Sequence, residues 1–185
     1  MPRLFVSVDL PDDLASAFSA AGAPLDGVES LRFTDPEGAH CTLKFLGDVP
    51  DEAVSGVTDA LETAVADADV GPFDAEVGGV GAFPSREYIS VVWVGVREGS
   101  AELTRLHEAV ERETTALGFD AEDHEFTPHF TLARMDDARG KERVQSFLDD
   151  ADPTVGTFRV EAVGLTESTL TDGGPEYSTV ERVEL

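Results

Sequence analysis

The sequence predicts an α+β domain with mainly antiparallel sheets, and three observations carry the prediction. Strand patterns come singly and as hairpins with helical patterns between some of them, unlike the strict alternation of a parallel doubly wound sheet. No stretch rich in Ser, Pro and Gly interrupts the 185 residues, so a single domain over residues 1–185 is expected. A tetrapeptide pattern, His-x-Thr-Leu, occurs twice on strand candidates, at His40 and at His129, as two half-domains facing one another would produce.

Residues 3–9 alternate apolar and polar side chains and predict the first strand. Pro11-Asp12-Asp13 then opens a helix to about residue 21, with Pro in the first turn and acids at the positive helix end. Residues 28–33 and 39–46 are strand candidates. The turn from Gly47 to Asp51 starts a helix over 51–68, where Val54, Val57, Leu61 and Val65 fall at helical spacing. Residues 73–80 and 88–96 predict a hairpin joined by the loop 81–87, whose Gly81 and Pro84 break pairing. Leu103, Leu106, Val110 and Leu117 form one stripe of a helix over 100–117 that stops at Gly118. A strand at 129–134, a helix at 140–148 and strands at 157–165, 167–170 and 177–184 complete the chain, with Gly173-Gly174-Pro175 turning between the last two.

With 41% hydrophobic residues the chain can build a core, which excludes disorder. Asp and Glu number 38 against 13 Lys and Arg, a formal net charge of -25, and only Lys44 and Lys141 of the cations are lysines. A protein that binds nucleic acid by blanket phosphate neutralisation would be basic, so that class is excluded. The carboxylates run through the whole sequence, and a uniformly acidic, lysine-poor surface points to life in concentrated salt, where self-repulsion is screened. Cys41 is the single cysteine, so no disulfide staples the chain, and a cytoplasmic location is expected. The first ten residues form neither a signal peptide nor a membrane span.

The chemistry lies in the repeat. His40-Cys41-Thr42-Leu43 and His129-Phe130-Thr131-Leu132 share one pattern. In a strand, residues two apart face the same side, so each copy offers an imidazole and a hydroxyl together and turns Cys41, Leu43, Phe130 and Leu132 to a core. If the two copies meet across a pseudo-two-fold axis, two imidazoles and two hydroxyls converge on a small anionic group such as a phosphate diester. A pair of structural histidines at strand edges is the plain alternative. A zinc site would need three or four ligands at close spacings, which one cysteine and no H-x3-H pair do not provide. His107 and His124 stand outside the repeat, as structural or surface residues.

These stretches resemble the two-histidine (2H) phosphoesterases, and within them the RNA 2',3'-cyclic phosphodiesterases also called 2'-5' RNA ligases. The matching residues are His40 to Gly47, Gly81-Ala82-Phe83-Pro84 leading into Val91 to Val96, Phe126 to Arg134, Glu167-Ser168-Thr169-Leu170, and Gly174-Pro175-Glu176-Tyr177. The resemblance spans nearly the whole chain. It implies a bilobal pseudo-two-fold fold, with antiparallel sheets facing a central groove and helices outside, and no metal or other cofactor. It implies RNA with 2',3'-cyclic phosphate ends as partner, with no membrane and no obligatory protein partner. Members often carry an arginine just before the Val-x-Trp strand, whereas here Ser90 stands there and Arg86 lies earlier in the loop.

Hydrolysis of a cyclic phosphate needs a water deprotonated on one side and a ribose oxygen protonated on the other, a division two imidazoles can make. The resemblance gives His129 as base and His40 as acid on the leaving 3'-oxygen, producing a 2'-phosphate. The hydroxyls of Thr42 and Thr131 would hold the non-bridging oxygens. The family places Arg134 near the phosphate, yet strict alternation from His129 and Thr131 would point Ala133 into the groove and Arg134 away, unless the strand bulges. Lys44 shares the face of His40 and Thr42, open to the phosphate or RNA backbone or to solvent. Phe83 and Tyr88 are candidates for stacking on bases, and Phe45 alternates with Leu43 toward the core. The groove is expected to gather the few cations, Lys44, Arg134 and Arg86 among them. The alternatives are a phosphodiesterase of small cyclic nucleotides or ADP-ribose-type cyclic phosphates, and a domain that binds RNA ends without turning them over.

Overall fold

The chain strings its strands into two antiparallel sheets that exchange the polypeptide repeatedly, so neither sheet is an N-terminal or C-terminal half. The structure, a computed structural model, describes residues 1–185. One sheet has four strands in the order β3-β1-β8-β9, where β1 is Arg3–Asp9, β3 His40–Asp48, β8 Ala162–Thr171 and β9 Gly174–Glu184. The other has five in the order β2-β6-β5-β4-β7, where β2 is Leu31–Phe33, β4 Phe73–Pro84, β5 Ile89–Val96, β6 His129–Met135 and β7 Thr154–Val160. Helices α2 (Val54–Ala68) and α3 (Ser100–Ala116) pack on each other and on the first sheet, while α1 (Ala15–Ala21) and α4 (Lys141–Asp150) pack on the second. One apolar core of 39 buried residues draws on both sheets and all four helices.

Local chemistry accounts for most boundaries. The acidic starts at Asp12–Leu14 and Asp51–Ala53 each form a turn of 3-10 helix before α1 and α2 begin. α2 buries Val57, Leu61 and Val65 and ends at Asp69, which takes a left-handed conformation (φ 51°) to close the last turn. α3 buries Leu103, Leu106, His107 and Val110. No helix is long and apolar enough to cross a membrane.

Four expected elements change, one of them the strand at 167–170, which is the continuation of the stretch before it within β8. The strand over 28–33 shrinks to Leu31–Phe33, since the preceding residues form turns, with the Val28 N–H on the Leu25 carbonyl and the Leu31 N–H on that of Val28. The strand over 157–165 breaks at Glu161, where the chain leaves one sheet for the other: β7 pairs with β4 and β8 pairs with β1. The loop over 81–87 contracts because β4 runs on to Pro84. Gly81 is not a breaker there but a seat, since a Cβ on it would stand 2.2 Å from the Trp93 ring.

The register of the two His-x-Thr-Leu strands decides the site. Between β1 and β3, Ser7 pairs with Thr42 and Val6 with Lys44, so Leu43 is an extra, unpaired residue. Between β5 and β6, Trp93 pairs with Thr131 and Val92 with Ala133, so Leu132 is extra in the same way. Each strand thus carries a bulge at its leucine, which resets the alternation of side chains. Leu43 and Lys44 are both buried, as are Leu132 and Ala133, and the next residues, Phe45 and Arg134, return to the face of the threonines.

Candidate active site

The two strands bring His40, Thr42, His129 and Thr131 to one open groove of about 1110 Å³, shared with Arg134, Tyr177 and the Gly173–Thr179 end of the last hairpin. Each imidazole is held alike. His40 donates Nδ1–H to the carbonyl of Gly38 (2.9 Å), and His129 donates Nδ1–H to the carbonyl of Thr127 (2.7 Å), in both cases two residues back along the chain. A carbonyl can only accept, so it sets the tautomer and leaves each Nε2 with a lone pair for chemistry. The repeat thus extends from the sequence to the way each imidazole is held.

Aromatic rings set each imidazole plane. Phe5 stacks on His40 (centroids 4.7 Å, interplanar 30°) and Tyr177 meets His40 edge-on at 5.0 Å. Phe83 meets His129 edge-on at 4.9 Å, with Trp93 behind at 5.9 Å. Burial, the largest effect, pushes both imidazoles below the ordinary histidine range. The carbonyl hydrogen bonds oppose it, whereas the Arg134 charge, and for His129 the His40 charge, add to the lowering.

The bulges sort the remaining candidates. Arg134 lies on the groove, as the bulge at Leu132 requires, and forms no ion pair with the chain's own carboxylates. Its ladder neighbour Arg32, which sequence reasoning missed, also reaches the groove but is gripped by Asp136 at 2.8 Å. Lys44 is a correction: the bulge at Leu43 turns it away from His40 and Thr42 into the core, 1% exposed, with Nζ on Glu111 and on the Asp120 carbonyl, both at 2.6 Å. Phe45 is the reciprocal correction, 53% exposed beside the Arg3 guanidinium instead of packed inside. Phe83 backs the His129 ring and is not part of the groove wall, and Tyr88 is exposed away from it. Arg86 is bound to Asp149 of α4 and is not a groove cation.

Tyr177, the other residue sequence reasoning missed as a site member, sits on β9, beside the Gly173-Gly174 turn. Cys41, on the core side of β3, meets the backbone of His129, and burial pushes its thiol up to about 12, so it is a packing residue and not a nucleophile. His107 is buried in α3 and His124 is exposed, both away from the groove. No three His, Cys, Asp or Glu side chains come together closely enough to hold a metal ion.

Comparison with known proteins agrees with this geometry. The chain is 36% identical over 172 residues to the RNA 2',3'-cyclic phosphodiesterase of Aeropyrum pernix, covering 92% of each. It is 33% identical over 183 residues to that of Methanothermobacter thermautotrophicus, covering 97% of this chain and 96% of the relative. Its fold superposes on a crystal structure from Thermus thermophilus with a TM-score of 0.77 at 28% identity, covering 99% of this chain and 97% of that one. It also superposes on E. coli LigT complexed with 3'-AMP, with a TM-score of 0.81 at 24% identity, covering 100% of this chain and 98% of that one. The model of the 2'-5' RNA ligase superfamily matches residues 5–172, through both sheets and both His-x-Thr pairs, and the chain belongs to that superfamily.

Proposed function

We propose that this protein hydrolyses RNA 2',3'-cyclic phosphate ends to 2'-phosphates by two-histidine general acid/base catalysis. The observation that carries the reading is the pair of imidazoles, each with Nδ1–H on a backbone carbonyl two residues back, both on one groove beside a threonine hydroxyl. The relatives that match over more than nine-tenths of the chain are RNA 2',3'-cyclic phosphodiesterases, which supports the substrate class. In the reaction, His129 Nε2 takes a proton from water as its oxygen bonds to phosphorus, the P–O3' bond breaks, and His40 in its protonated form gives the 3'-oxygen a proton. Thr42 and Thr131 donate to the non-bridging oxygens, and Arg134 neutralises the charge that builds on them. Solvent exchange then returns the proton from His129 and recharges His40. With the 5'-hydroxyl of a second strand in place of water, the same steps make a 2'-5' linkage: the hydroxyl oxygen bonds to phosphorus as His129 takes its proton, the P–O3' bond breaks, and His40 gives the 3'-oxygen a proton. The chain's own groups supply every proton transfer, so activity should persist in excess EDTA.

A second reading, action on small cyclic phosphates, is favoured by the groove rim. Asp9, Asp12, Asp35, Glu37 and Glu176 line it, and Arg134 is its one cation free of a carboxylate partner, so a long RNA backbone finds no cationic track. The chain-wide acidity supports operation in concentrated salt, where that repulsion is screened. The test is incubation with an oligonucleotide and with a mononucleotide, each bearing a 2',3'-cyclic phosphate, and identification of the product isomer. A 2'-phosphate from the oligonucleotide is expected. Turnover of the mononucleotide alone would transfer the function to the second reading, and tight binding without turnover of either would make the domain an RNA-end binder.

A further inference from the structure

The bulge that follows His40 and Thr42 has no outer strand to support it, because β3 is the edge of its sheet. In β6 the carbonyl of the bulged Leu132 is met by the N–H of Thr34 at 3.0 Å, just beyond β2. For β3 a side chain takes that place: His107 of α3, itself buried, donates Nδ1–H to the Leu43 carbonyl at 2.7 Å. One turn along α3, Glu111 grips Lys44 of the same bulge. Both rungs also hold the segment between α3 and β6. The His107 ring lies flat on Phe126 (centroids 4.1 Å, interplanar 9°), Lys44 donates to the Asp120 carbonyl, and the Glu122 N–H donates to Glu111 at 2.8 Å. That segment carries Thr127, whose carbonyl fixes His129. His107, Lys44 and Glu111 lie outside the groove, so the reaction as written does not use them.

We infer that His107 is a positioning residue that ties the two histidines together, acting on His40 and Thr42 through the Leu43 carbonyl and on His129 through Phe126 and Thr127. The inference rests on the hydrolytic reading above for its effect on rate, though not for its effect on the imidazoles. A buried carbonyl without a donor is costly, and a bulge without its anchor can slide by one residue toward Thr42, which turns the residue it passes to the other face. Lys44 and Glu111 reinforce the anchor from the next turn of α3.

Three variants separate the two legs. His107→Phe keeps a ring against Phe126 and loses the donor, His107→Asn keeps a donor amide and loses the ring, and Phe126→Leu, at a half-buried position, gives a milder loss of stacking. The kcat and KM for a cyclic-phosphate oligonucleotide are measured per folded molecule, and long-range ¹H–¹⁵N spectra read the imidazole tautomers without substrate. His107→Phe should lower kcat about 10- to 100-fold, the scale of a small misplacement, with KM within about twofold. His107→Asn should recover part of that loss, and in Phe126→Leu the fixed Nδ1–H tautomer of His129 should give way to a mixture. If the wild type hydrolyses the substrate while folded His107→Phe and Phe126→Leu keep its kcat and tautomers, the positioning role is refuted. Losses that track only the folded fraction, with tautomers unchanged, refute it equally. A wild type without hydrolysis would overturn the proposed function, and the spectra would still decide the role of His107.

Discussion

Replacing Arg134 by Met probes the groove electrostatics most sharply, because this side chain contributes nothing to the fold's ion pairs. The variant keeps the length and apolar stem and removes the one groove cation without a carboxylate partner. A charge-assisted hydrogen bond to phosphate is worth about 1.5–3 kcal/mol, which is about 10- to 150-fold in kcat/KM. Stability should stay within about 0.5 kcal/mol, the ordinary range for an exposed site without special contacts. The pH profile supplies a second reading of the same change. Burial and Arg134 both hold His40 and His129 low, so the wild-type optimum of kcat/KM should lie below about pH 6.5, the ordinary histidine value. The base limb extends activity downward because His129 stays neutral there, and the acid limb cuts activity as His40 loses its proton on the way up. Without Arg134 both imidazoles gain basicity, and the whole bell should move toward neutral pH. Stopped assays from pH 4.5 to 8.5 at fixed salt would measure both effects, spanning about two units either side of free histidine. A variant with unchanged kcat/KM and an unmoved optimum would remove Arg134 from the site.

Other consequences follow from the same geometry. Lys44→Met leaves Glu111 and the Asp120 carbonyl without their partner. Because the Glu111 side chain keeps 21% exposure, the loss should be about 3 kcal/mol, the low end for a broken buried pair, measured by urea unfolding; a loss below about 1 kcal/mol would contradict the burial of this pair. Burial pushes the Glu111 carboxyl up, but the Lys44 and Glu122 hydrogen bonds outweigh it and hold the group low, so the deficit should shrink as pH falls through the carboxylate range. Thr42→Val and Thr131→Val should each cost about 1.5–3 kcal/mol of transition-state stabilisation in single-turnover rates, and unchanged rates in both would take the hydroxyls out of the mechanism. Raising KCl from about 0.1 to 3 M should increase both stability and hydrolysis as the -25 charge is screened, and a steady fall in activity of a folded protein would refute the salt-adapted reading.

The sequence made the meeting of four side chains at one groove legible because His40, Thr42, His129 and Thr131 precede the bulges, where period-two alternation still holds. Beyond Leu43 and Leu132 it fails, and one irregularity explains three departures: Lys44 inside, Phe45 outside and Arg134 on the groove. Placing Arg134 at a phosphate already demands a bulge after Thr131, and the repeat carries the same demand to Lys44, so the signal was present in the paired motif. The partner that makes a buried lysine tolerable is 67 residues away on α3, beyond any local pattern. The break at Glu161 is equally silent, since Val160, Val163 and Leu165 are buried across the change of sheet. Tyr177 reaches the groove only because β9 pairs with β8 beside β1, a consequence of sheet order and not of its own neighbours in sequence.

The central claim is that both imidazoles transfer protons, and single-turnover hydrolysis of a 2',3'-cyclic-phosphate oligonucleotide by His40→Ala and His129→Ala tests it most directly. Each general acid or base typically contributes about 100- to 10,000-fold, so each variant should lose activity on that scale while its circular dichroism matches the wild type. Turnover near the wild-type rate by either folded variant would contradict the two-histidine mechanism.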